Sequence, residues 1–142
     1  MSEILFSNEL MQYMNMASKI TKAHILDCYV SDDAKLVFIV QKGQLGIAIG
    51  KKAKNIERLR MLFKKSIKFV EFDENKEKFI INLCKPYKIN KLEFEGDQES
   101  QIAKLTVELS DKSKLIGKGG KNIETIRILA KRHHSIKDVR IK

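Results

Sequence analysis

The chain has 142 residues, with 28 Lys and Arg against 18 Asp and Glu, a net charge of +10 and a pI near 9.6. That length allows one ordinary domain or two very small ones, and the charge suits a polyanion such as nucleic acid. No apolar run approaches the ~20 residues of a membrane span and no secretory signal opens the sequence, so a cytoplasmic protein that leaves membranes alone is expected. Cys28 and Cys84 are too few for a zinc site and read as reduced core residues; no metal and no cofactor is expected.

The elements follow in chain order. Ser7 offers an N-cap to a helix with Phe6 just outside it and Leu10, Met14 and Ala17 along one side; Met11, Met14 and Met16 read as adaptable core packing. A strand over residues 25–30 ends at the turn Ser31-Asp32-Asp33. Leu36-Val37-Phe38-Ile39-Val40 is an unbroken apolar run, predicting a central strand buried on both faces. A short stretch and a Gly-Lys loop lead to a helix with Ile56, Leu59 and Phe63 on one stripe, then a strand around Ile67-Lys68-Phe69.

The pattern then starts again. Residues 74–84 read as a helix with Pro86 as its stop, Leu92-Glu93-Phe94-Glu95 as a strand before the Gly96-Asp97 turn, and residues 103–109 as an alternating strand. A second Gly-Lys loop precedes a helix striped by Ile123, Ile126 and Ala130, and residues 138–142 alternate as a last strand. Residues 49–60 align without gaps on residues 116–127, identical at eight of twelve positions with a constant offset of 67. The chain is therefore a duplication, expected to divide into units 1–72 and 73–142 that pack together.

The charge follows the repeat. Residues 42–68 and residues 112–142 each sum to +8, which leaves −6 for everything else. Each window holds one loop: Ile49-Gly50-Lys51-Lys52-Ala53-Lys54-Asn55 and Ile116-Gly117-Lys118-Gly119-Gly120-Lys121-Asn122. Gly117, Gly119 and Gly120 allow backbone angles that a Cβ disfavours and let another backbone approach closely. The helix that follows turns its free N–H groups and positive dipole end toward the loop, where a phosphodiester fits. Lys118 and Lys121 add charge, and Asn122 adds a donor amide. The first loop departs from this pattern in having Ala53 at the closing glycine position, at a cost of about 1 kcal/mol if positive φ is needed there.

The string Ile116-Gly117-Lys118-Gly119-Gly120-Lys121-Asn122-Ile123 resembles the signature of KH domains, whose G-x-x-G loop clamps single-stranded RNA. The pair of units resembles the tandem KH proteins of the archaeal NusA-like family. That resemblance implies an α+β fold of two type II KH domains, each a three-stranded sheet covered by helices on one face. It also implies single-stranded RNA as partner, with the residues of both loops as its site, and a role in transcription termination or antitermination. RNA polymerase or ribosomal components are the protein partners in view, and the chain is expected to be a monomer. The competing reading is a KH-type assembly or ribosome-biogenesis factor that works through protein contacts.

Catalytic patterns are missing. Gly46 and Gly50 stand one residue too close for a nucleotide-hydrolysing P-loop, and Lys52 replaces its magnesium-binding hydroxyl. His133 and His134 are adjacent on a helix and cannot share a metal; they are expected at its dipole end or on the basic surface, and His24 in a structural role. No enzyme is expected.

Overall fold

The structure, a computed structural model, describes residues 2–31 and 33–142, with side chains from Asn8 onward. It divides into two compact units, Met1–Asp73 and Glu74–Lys142. The first runs α1 (Ser2–Thr21), β1 (Ile25–Val30), β2 (Lys35–Val40), α2 (Leu45–Ile49), α3 (Lys54–Phe63) and β3 (Ser66–Glu71). The second repeats the order as α4 (Lys76–Cys84), β4 (Ile89–Glu95), β5 (Ile102–Val107), α5 (Leu109–Ile116), α6 (Lys121–His134) and β6 (Asp138–Ile141).

Each unit has its own three-stranded sheet, with order β1-β2-β3 in one and β4-β5-β6 in the other. The first two strands pair antiparallel and the last joins the middle one in parallel, with Phe38 opposite Phe69 and Ala103 opposite Val139. Parallel neighbours need a crossover, and the helix pair α2–α3 or α5–α6 supplies it. The loop between those helices therefore hangs on a connection anchored at both ends in the sheet.

In the first unit Leu36, Phe38 and Val40 point into a core with Leu10, Ala17, Cys28, Ala48, Leu59 and Phe69. Val37 and Ile39 are buried as well, so the central strand is covered on both faces as its unbroken apolar run predicts. Phe38 stacks on Phe69 with centroids 5.5 Å apart, and Tyr13 of α1 meets Phe63 of α3 edge to face at 4.8 Å. In the second unit Ala103, Leu105 and Val107 are buried on alternate positions of β5, and Ile123, Ile126 and Ala130 of α6 are buried as well. Its other sheet face is charged: Lys104 pairs with Glu95 and Lys142 with Glu93. Arg127 of α6 donates to the Val139 carbonyl at 3.0 Å and pairs with Asp138, tying the helix to the last strand. Burial pushes the Asp138 carboxyl upward, but hydrogen bonds from Arg140 and the Val139 N–H, with the Arg127 charge, outweigh it and hold the group below its usual range.

Three expectations need correction. Helix α1 begins at Ser2 instead of after a Ser7 cap, because nothing from residue 2 to 21 breaks it; the side chains of Phe6 and Ser7 lie outside the described residues, as does Asp32 of the first turn. Of the three methionines only Met14 packs on the core, while Met11 is 54% and Met16 40% exposed. Residue 109 is not in a strand: β5 stops at Val107, Glu108 turns the chain, and Leu109 opens α5 in solvent. His133 and His134 lie in the last turn of α6, the dipole end expected for them, and there also meet the Phe79 ring of α4 at 5.5 and 5.2 Å.

Leu59 and Ile126 fill equivalent places at 0% and 1% exposure. Truncating either to alanine should lower unfolding free energy by about 2–5 kcal/mol in urea titrations, whereas Met61→Ala on the open side of α3 should change it by less than about 0.5 kcal/mol.

Candidate nucleic-acid interface

The two loops share one backbone path. Gly50 (φ 79°, ψ 164°) and Gly117 (φ 80°, ψ 168°) end α2 and α5. Two successive residues then enter the left-handed region: Lys52 (55°, 33°) and Ala53 (57°, 28°) in the first loop, Gly119 (64°, 19°) and Gly120 (73°, 13°) in the second. The turn closes identically, with Ala53 N–H donating to Gly50 O and Gly120 N–H to Gly117 O, each at 3.0 Å. Positive φ is thus required at both inner positions. The second loop meets the requirement with glycine and the first does not, so Lys52 and Ala53 each hold a conformation costing an L-residue about 1–2 kcal/mol.

Glycine has different reasons at different positions. A Cβ on Gly117 would lie 2.8 Å from Asn122 Cβ and 3.0 Å from its backbone nitrogen; on Gly50 it would meet the Asn55 side chain at 2.8 Å. These two glycines let the next helix close against the loop. A Cβ on Gly119 or Gly120 would meet nothing within 4 Å. There the protein itself asks only for the backbone angle, and the face is left open to an outside molecule.

Asn55 and Asn122 have a role that the sequence reading missed. Asn122 Nδ2 donates to Leu115 O at 2.7 Å, and Asn55 Nδ2 to Ile47 O at 3.0 Å. Each amide reaches back across the turn to the helix before it and fixes the angle between the two helices. A signal was available, since both asparagines fall at the same place in the repeat. Their partners became visible only in three dimensions.

The remaining loop residues divide by exposure. Lys51, Lys52, Lys54, Lys118 and Gly119 are exposed; Ile116, Gly120 and Lys121 are half-buried. Ile49 packs against the core of its unit and serves as a brace. No side chain caps the start of α3 or α6, so the N-terminal N–H groups face the loop. The one acid of the first basic window, Glu57, is held by Arg60 at 2.7 Å, and those hydrogen bonds keep its carboxyl below the usual range. Among the described residues no group of three or more His, Cys, Asp or Glu could hold a metal ion.

A helix–turn–helix crossover over a sheet in the order α-β-β-α-α-β defines a type II KH domain, and this chain carries two, with the G-x-x-G turn intact in the second and closed by Ala53 in the first. Residues 12–76 match the KH domain family and residues 76–140 the NusA-like second KH domain. The "Probable transcription termination protein NusA" of Halobacterium salinarum is 30% identical over 97% of this chain and 98% of its own length. The protein of the same description from Methanocaldococcus jannaschii is 26% identical over 99% of this chain and 76% of its own. The crystal structure of APE1850 superposes with a TM-score of 0.78 at 29% identity, covering 94% of this chain and 98% of that one. The chain belongs to the archaeal NusA-like family of tandem KH proteins.

Substitutions at two positions test the loop geometry. Ala53→Gly should stabilise the protein by about 1 kcal/mol, since it removes left-handed strain that exceeds the entropy glycine adds to the unfolded chain; thermal melting reads this directly. Asn122→Ala should cost about 1–2 kcal/mol by leaving the Leu115 carbonyl without its donor, and Asn122→Asp, which cannot donate from that position, should not restore it.

Proposed function

We propose that the two loops grip the sugar–phosphate backbone of single-stranded RNA, and that the chain acts through such binding in transcription termination or antitermination. One observation carries the reading: two copies of one left-handed turn, each fronting an uncapped helix start within a +8 window, the second with an open approach over Gly119 and Gly120. The open glycines admit a backbone, helix N-terminal N–H groups donate to anionic oxygens, and Lys51, Lys52, Lys118 and Lys121 supply long-range attraction. The residues of the site are Ile49 to Asn55 and Ile116 to Asn122. Ile49, Asn55 and Asn122 hold the loops in shape while the lysines and glycines meet the strand.

The named relatives support the transcriptional part, since they are described as probable termination proteins. RNA polymerase is the protein partner this reading brings with it. Binding is its whole content; it includes no catalytic step.

Binding should prefer single-stranded RNA to duplex and weaken with salt, each neutralised phosphate contributing about −0.7 to the slope of log K against log salt. The double substitution Lys118→Asp with Gly119→Asp should cost more affinity than Lys51→Asp with Lys52→Asp. Only the second loop loses an open glycine as well as charge. Filter binding across salt concentrations, with melting curves beside it, reads both; equal losses would show that charge alone sets the grip.

A further inference from the structure

The helices after the two loops differ on one face. In α6 the positions 67 residues beyond Arg58 and Leu62 are Thr125 and Leu129, at 7% and 0% exposure. In α3 the same stripe stands bare, with Leu62 51% and its neighbour Met61 71% exposed. Helix α1 sets Met16 and Ile20 beside them, and with Arg58 these five residues line an open groove of about 470 Å³. Flexible, polarizable methionines suit a surface that adapts to an inserted side chain.

The surroundings select the occupant. From residue 10 onward α1 has no acidic residue, carries Lys19 in its last turn and is followed by Lys22; α3 carries Lys54, Arg58 and Arg60 and is followed by Lys64 and Lys65. Its single acid, Glu57, is engaged with Arg60. The groove is thus an apolar floor in a cationic frame. A second copy of the chain would bring the same cationic frame and be repelled. Single-stranded RNA is disfavoured because none of the five lining residues is aromatic, and bases bind such surfaces by stacking on rings.

We propose that this groove receives an amphipathic helix of a partner protein, with large apolar side chains at i, i+3 or i+4 and i+7, and acidic residues along its flanks. The apolar side chains would enter between Met16, Ile20, Met61 and Leu62, and the acidic flank would meet Arg58 and the nearby lysines. The site is separate from the Gly-Lys loops, so it stands whether or not those loops bind RNA.

Methyl spectra of the full chain with ¹³C-labelled methionine test it against three probes: a synthetic amphipathic helix with leucines on one face and glutamates on its flanks, the same peptide with lysines for glutamates, and oligouridylate. The acidic peptide should move the Met16 and Met61 methyl signals and leave Met11, outside the groove, in place. Met61→Glu with Leu62→Glu should weaken that binding by about tenfold or more without lowering the melting temperature, because both side chains are more than half exposed. Arg58→Glu should shift the preference toward the lysine peptide. Unmoved Met16 and Met61 signals, equal response to both peptides, or a response to oligouridylate at these methyls would overturn the proposal.

Discussion

Two consecutive left-handed residues between two helices are the constraint on which each unit of this protein depends. They reverse the chain sharply enough for α3 or α6 to return over the sheet and deliver its last strand parallel to the central one. Relaxing the turn would move the helix start, the crossover and the strand register together. The asparagine that bridges the turn and the glycine that lets it approach are parts of the same joint. A binding loop here is a corner of the scaffold, held to a shape that a flexible loop would have to give up entropy to reach.

The duplication separates what that corner needs from what glycine happens to provide. Lys52 and Ala53 follow the same path as Gly119 and Gly120, so the turn survives without glycine at the inner positions when the surrounding contacts hold it. Gly50 and Gly117 are different, because a Cβ there would strike the bridging asparagine. One copy therefore combines strain with an extra lysine, and the other combines a relaxed turn with a bare surface. The two loops present different chemistry on one frame.

Much of this was legible in the sequence, for stateable reasons. The offset of 67 residues, the period-two strands and the i, i+3, i+7 stripes at Ile56 and Ile123 each report a local periodicity, and local periodicities are what chain order preserves. The start of α1 was misread because Ser7 is a good cap with nothing obliging the helix to use it. The exposure of Met11 and Met16 was in fact readable, since neither falls on the stripe of Leu10, Met14 and Ala17. The Asn122 to Leu115 hydrogen bond and the groove beside Met61 were not. Both depend on where two helices cross, a distance that no spacing along the chain encodes.

The parallel closure of each sheet also fixes an order of events during synthesis. Strand β2 cannot gain its parallel neighbour until residues 66–71 have left the ribosome, and β5 waits for residues 138–141. Until then each nascent sheet carries an unpaired edge beside its most apolar strand, a surface that invites mispairing. Residues 66–71 are complete while the second unit is still being made. Chain order thus releases the last strand of the first sheet well before that of the second, which lets the two similar helix–turn–helix corners find their strands one after the other.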